Sequence, residues 1–129
     1  METNFKQQNI FGMGHENQDY AQFFNKNSYL NELATLTKEG MQVANVTFEP
    51  GCRNNWHIHH DGYQLLLVTA GQGWYQEEGA PAKKLLPGDV VYIAEGIKHW
   101  HGATKDSWFA HVAITKGTSE WLESVDFLD

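Results

Sequence analysis

Six of the seven histidines in this chain fall between residues 57 and 111, and four of them form the pairs His57-x-His59 and His99-x-His101. Side chains two apart on an extended segment leave the same face. Two imidazoles so placed can meet at one metal ion, and several neutral imidazoles converging inside a barrel suit a divalent transition metal. His111 follows on the next apolar segment. Imidazole titrates near neutrality, so a spare one beside a metal suits a general acid or base. Either pair alone would serve equally well as loop or core residues. The repetition of the pair, each time beside a glycine-bearing turn, is what points to a site.

The elements that must position these residues are short strands. Met41 to Phe48 alternates, with Ala44, Val46 and Phe48 on one face and Val43, Asn45 and Thr47 on the other, and Pro50-Gly51 stops it. Trp56 to His59 reads as a short strand. Tyr63 to Ala70 reads as a longer one, apolar on both faces and so expected to be covered on both sides. Gly71-Gln72-Gly73 reads as a hairpin turn into Trp74-Tyr75-Gln76. Further strands are predicted over residues 83–86, 90–94, 99–103 and 108–114, with residues 120–125 forming a last edge strand or a short helix. The first forty residues are polar, with a turn at Phe11 to Gly14 and about one and a half helical turns over Asp19 to Phe24, Asp19 being the N-cap. The division predicted is an N-terminal extension over 1–40, an all-β barrel core over 41–116 and a C-terminal strand or tail over 117–129.

Composition narrows the function classes. A chain of 129 residues is one domain, able to bury its own core without disulfides. Its net charge of -7 argues against binding a phosphate backbone. Apolar runs such as Leu65 to Val68 are too short to span a bilayer, and the N-terminus lacks the basic head and apolar stretch of a secretory signal. The single cysteine, Cys52, cannot form an internal disulfide, which fits a reducing cytoplasm. The expectation is a cytoplasmic protein with no nucleic-acid or membrane partner.

Gly51, His57, His59, Gln64 and Gly71 stand at the spacing of the first motif of the cupin superfamily. Gly88, Ala94-Glu95-Gly96 and His99 stand at that of the second. The chain resembles that family from about residue 41 to 114. The resemblance implies a small jelly-roll barrel, a double-stranded β-helix, with a metal held by His57, His59 and His99 and with residue 64 as the fourth ligand. The chain departs from the usual pattern at three points: Gln64 where most metal cupins have Glu, Ala94 for Pro and Ala103 for Asn. Only the first changes the chemistry. Three imidazoles and an amide leave the ion's full charge on the site, which makes it a stronger Lewis acid and a better host for anionic ligands. The segments Leu65 to Trp74, Pro87 to Val91 and His99 to Ala103 narrow the likeness to small single-domain cupins associated with carboxymuconolactone decarboxylase-like proteins. They are similar too to manganese-dependent cupin hydroxynitrile lyases, which also use three His and a Gln.

On this reading the cofactor is a divalent transition metal, manganese first, with Fe, Zn, Ni or Co accepted by the same ligands. His101 and His111 are the acid–base candidates, and Ala44, Val46, Phe48 and Leu66 are the pocket wall around a small carbonyl-related substrate. The tryptophans are expected on outer faces or in a subunit interface. Cys52 is expected to be inert, Arg53 to be a solvated loop residue and Asp89 to fix its turn. His15 and His60 are expected at the surface. The function expected is a lyase or proton-transfer enzyme. A metal-dependent dioxygenase and a non-catalytic binding module accessory to a carboxymuconolactone decarboxylase-like protein stand as alternatives. Apolar strand faces and the resemblance together imply a homodimer or small homo-oligomer.

Overall fold

Segments rich in β-branched and aromatic residues, cut by turn glycines, pair here into one antiparallel sheet that rolls up on itself. The computed structural model describes residues 3–129. It begins with a short helix, α1 (Thr3–Gln8), and a brief strand, β1 (His15–Glu16). The remaining strands are β2 (Ser28–Leu36), β3 (Met41–Phe48), β4 (His57–Gly71), β5 (Gly73–Glu77), β6 (Lys83–Leu85), β7 (Val90–Ile93), β8 (His99–Ala103) and β9 (Phe109–Trp121). The order across the sheet is β1-β2-β3-β9-β4-β8-β5-β6, and β7 pairs with β4. This is the all-β jelly-roll architecture expected. Its core holds Phe48, Leu66, Leu85, Ile93 and Phe109, all fully buried.

Two long strands, β4 and β9, carry the roll. They pair from Gly71↔Phe109 to His57↔Trp121, so each belongs to both halves of the barrel. Between His60↔Thr118 and Tyr63↔Lys116, β4 advances three residues while β9 advances two. The extra residue is a β-bulge, and it reverses which face each later side chain of β4 occupies. Asp61 takes a left-handed backbone (φ 60) and Gly117 another (φ 93). A Cβ on Gly117 would lie 2.2 Å from the His60 carbonyl oxygen, and one on Gly62 would lie 2.0 Å from that of Lys116. Only glycine lets the two backbones approach so closely.

Several local expectations are corrected. The first forty residues contain β2, a nine-residue strand paired along β3. Its outer half is exposed and a bulge near Leu33 interrupts its register, so its sequence shows no clean alternation. The helical segment expected over Asp19 to Phe24 is a single 3-10 helix, Ala21–Phe23, and Tyr20, not Asp19, stands at its N-cap, with no side-chain cap. Gly71-Gln72-Gly73 is not a hairpin, because β5 pairs with β6 and β8 rather than with β4. It is a corner pressed against Trp108, whose carbonyl accepts from the Gln72 amide. Trp56 to His59 and Tyr63 to Ala70 are halves of one strand.

β9 runs on to Trp121, so residues 122–125 add neither strand nor helix. The C-terminal residues instead lie against Arg53. That side chain is buried, pairs with Asp129 at 2.6 Å and donates to the Phe127 carbonyl. It is therefore not a solvated loop arginine. Asp89 does fix its turn, its carboxylate accepting from the Leu86 amide at 2.8 Å. Cys52 is buried, and burial pushes its thiol up to about 12, which leaves it unreactive.

Gly117→Ala forces a Cβ into the His60 carbonyl, whereas Gly79→Ala, also at positive φ, meets open space. We expect Gly117→Ala to cost at least about 1–2 kcal/mol more than Gly79→Ala in urea unfolding, since backbone strain alone accounts for the latter. Equal losses would show that the bulge contact is not tight.

Candidate metal centre

His57 and His59 lie on β4 before the bulge and Gln64 after it, yet all three side chains are buried in the barrel. His99 and His101 enter from β8, and His111 from β9 opposite Val46 and Val68. The ring centroids of His57 and His99 are 4.1 Å apart, and that of His59 lies 5.2 Å from each. His101 lies 5.6 Å from His57 and 4.9 Å from His111. Five imidazoles thus form one connected group.

Each ring is held by an identifiable partner. His57 Nδ1 donates to the Asn55 carbonyl (2.8 Å) and His99 Nδ1 to the Ile97 carbonyl (2.9 Å). That tautomer leaves each Nε2 with a free lone pair, which is the arrangement metal-ligating histidines adopt. His99 Nε2 is buried with no hydrogen-bond partner, an orphan that a metal ion would satisfy. Gln64 Nε2 donates to Thr115 Oγ1 (2.8 Å), which turns Gln64 Oε1 toward His59 Nε2 at 3.0 Å. On the other side of the ring, Ser119 Oγ lies 3.1 Å from His59 Nδ1. The ligand atoms of His57, His99 and His101 lie within 4.8 Å of one another, so these three could hold a divalent ion. His59 Nε2 and Gln64 Oε1, the other expected donors, are joined to each other in this structure.

Behind these residues, His111 Nε2 and His101 Nδ1 stand 3.1 Å apart and share one hydrogen bond. Asn54 accepts from the His101 backbone amide (2.9 Å), and its own amide nitrogen lies 3.3 Å from His101 Nε2. His111 Nδ1 has no partner. A cavity of about 690 Å³ opens above the group. Ala44, Val46 and Phe48 line it as expected, joined by Phe24, Leu30 and Trp121. Leu66 does not line it. It points inward but is fully buried in the packed core beneath.

Trp121 is a further correction, since it belongs to the cavity wall and not to an outer face. Ser119 and Thr115, which hold His59 and Gln64, and Asn54 were all missed from the sequence. The first two are cross-strand partners of the residues they hold, recoverable only once β9 is known to continue past Ile114. His15 is exposed, and His60 is half-exposed beside Glu120.

Burial dominates the electrostatics. It pushes His57 and His101 well below the usual histidine range, lowers His59, and brings His99 to about 4 and His111 to about 3. Neighbouring imidazoles add to the effect at His57, His99 and His101. The rings are thus neutral at pH 7, the form in which imidazole ligates.

A rolled antiparallel barrel with a histidine-lined interior is the class of protein that fold and site define. The chain belongs to the cupin family, whose cupin-domain model matches residues 44–115. It is 48% identical over 86 residues to the (R)-mandelonitrile lyase of Granulicella tundricola, a stretch covering 64% of this chain and 65% of that protein. The match thus spans less than two thirds of that relative's length. A cupin-like protein of Thermotoga maritima superposes with a TM-score of 0.83 at 42% identity, covering 91% of this chain and 90% of that one. A predicted oxalate decarboxylase of Thermotoga maritima, 14% identical, shares the fold with a TM-score of 0.71 over 82% of this chain and 94% of its own. Among the described residues no helix is long and apolar enough to cross a membrane.

Because the buried rings titrate below their unfolded value of 6.5, the unfolded chain takes up protons first as the solution is acidified. The stability these neutral rings contribute is complete above pH 6.5 and is lost as pH falls toward the folded values of about 4 and about 3. Chelator-treated protein should lose roughly 1.4 kcal/mol per pH unit for each such ring between pH 6 and 5, read from urea midpoints. A stability flat over that interval would contradict the burial of neutral histidines.

Proposed function

We propose that this chain is a metal-dependent lyase acting on a small carbonyl-related substrate, with cyanohydrin cleavage as its reaction. The observation that carries this reading is the unpartnered, buried Nε2 of His99 beside His57 and His59, the latter two lining a largely apolar cavity. The likeness to a mandelonitrile lyase supports it. His57, His59, Gln64 and His99 would hold the ion. Manganese is our assignment, since an amide oxygen beside three imidazoles suits a hard to borderline cation. When bound, a divalent ion there supplies Lewis acidity toward a substrate oxygen.

The remaining steps are the work of the chain's own residues. The apolar wall of Ala44, Val46 and Phe48 takes the organic part of the substrate and excludes water. We assign the base to His111 and His101, joined by one hydrogen bond; burial makes them weak bases, so they hold the proton only in transit to the leaving cyanide. They receive the hydroxyl proton as the carbon–carbon bond breaks. The carbonyl forms from the alkoxide electrons, and cyanide leaves with the bonding pair and takes the proton. We place this activity in the cytoplasm, where the buried Cys52 stays reduced.

The test is elemental analysis of the purified protein followed by a mandelonitrile cleavage assay with added manganese. We expect about one ion per chain and cyanide release, with His111→Ala cutting kcat about 100-fold or more at saturating metal, in line with loss of a general base. Unchanged turnover in that variant removes His111 from the mechanism. Bound metal without cleavage leaves a binding module, and oxygen consumption would point to a dioxygenase. The set His57, His99 and His101 is the competing ligand assignment. His59→Ala should abolish metal retention and His101→Ala should not.

We further propose a homodimer through the outer face of β4 and β7, where Leu65 and Leu67 neighbour Tyr92 and Val90. Val90 and Tyr92 are 59% and 62% exposed, an apolar surface that a second copy would cover. Light scattering should give twice the chain mass for the wild type and a monomer for Tyr92→Lys. A monomeric wild type would refute the proposal.

A further inference from the structure

Of the candidate ligands, His57 alone is in contact with Trp121, and that contact belongs to a closed circuit. The His57 ring stacks on Trp121 with centroids 4.4 Å apart and planes 29° apart. Trp121 also stacks on Phe23 at 4.7 Å and 5°. The Phe23 carbonyl accepts from the Asn55 backbone amide (2.7 Å), and the Asn55 carbonyl accepts from His57 Nδ1 (2.8 Å). The Asn55 side chain donates to the Leu122 carbonyl (3.1 Å), next to Trp121. The plane of the His57 ring and the hydrogen bond that sets its tautomer are therefore governed by the same two neighbours, Trp121 and the segment around Phe23. That segment also lines the cavity, with Tyr20, Phe23 and Phe24 on its wall.

We infer that Trp121, itself stacked on Phe23, is a positioning residue for His57, and that the cavity-lining segment Tyr20 to Phe24 is thereby coupled to metal binding. The inference rests on the reading of His57 as a ligand. Two fixed partners leave the imidazole little freedom to swing, so its Nε2 lone pair is preorganised toward the other rings. Without the indole, the ring keeps the Asn55 carbonyl and its neighbouring imidazoles but loses its stacked partner, and gains freedom to rotate about that hydrogen bond. Coupling is reciprocal, so an ion that fixes His57 also steadies Trp121, Phe23 and the turn that carries it.

The experiment uses metal-stripped full-length protein and Co(II) as the probe, followed by calorimetry and by its visible ligand-field spectrum. Wild type should bind. Trp121→Leu and Phe23→Ala should each weaken binding about tenfold, the size typical of residues that orient a ligand, and should alter the spectrum. Trp121→Phe, which keeps a stacked ring, should retain most of the affinity. Folded Trp121→Leu with wild-type affinity and spectrum would overturn the inference while leaving His57 as a ligand. A wild type that takes up no Co(II) would instead defeat the metal reading itself. Hydrogen exchange on the wild type gives a readout independent of any variant's folding. Residues 20–24 should exchange more slowly with Co(II) bound, and no change there overturns the coupling.

Discussion

One surplus residue in β4 determines what the barrel can hold. His57 and His59 are odd-numbered positions and Gln64 and Leu66 are even, so a regular strand would send the two pairs to opposite faces. The bulge at Asp61-Gly62, set against the single residue Gly117 on β9, reverses the alternation between them. All four side chains then enter the same interior. The close approach that makes this possible demands glycine at 62 and 117, so a steric requirement of the backbone underlies the chemistry of the site. A second bulge between Val68 and Ala70 turns Ala70 back outward, where it packs with Phe5 and Ala110 beneath α1.

The interior so formed is both dry and polar. Burying an imidazole is costly unless its nitrogens are matched. The structure meets that demand locally, with carbonyls of Asn55 and Ile97, the Ser119 hydroxyl and the Gln64 amide oxygen at His59, and the His101–His111 pair. The demand is left unmet at His99 Nε2 and His111 Nδ1. Unmatched buried nitrogens are rare in a settled core and tend to mark places where a protein keeps free energy in reserve for a ligand or a proton. One of the two lies beside His57 and His59 and the other belongs to the acid–base candidate.

Much of this was legible in the chain because periodicity reports local geometry. The strand from Met41 to Phe48 and its inward face, Ala44, Val46 and Phe48, follow from strict alternation. The His-x-His pairs announce themselves by spacing. What stayed hidden depends on contacts distant in sequence. β2 is an outlying strand whose polar residues face water, so it lacks the pattern of a buried one. β9 continues through Lys116-Gly117-Thr118, past the end at residue 114 that the sequence suggested, because its partner is the bent half of β4. Trp121 reaches the cavity only through that continuation. Leu66 was assigned to the wall because parity gives direction but not depth, and the floor of the cavity lies above it.

One cation held among the side chains that the bent β4–β9 pair brings together is the proposal on which the chemistry of the site rests. Anomalous diffraction from a crystal grown with manganese measures this directly. The account predicts a single strong peak in the cavity, within about 2.0–2.3 Å of the Nε2 atoms of His57, His59 and His99 and of Gln64 Oε1. A cavity without a peak, or a peak bound through His101 with His59 still turned onto Gln64, would contradict it.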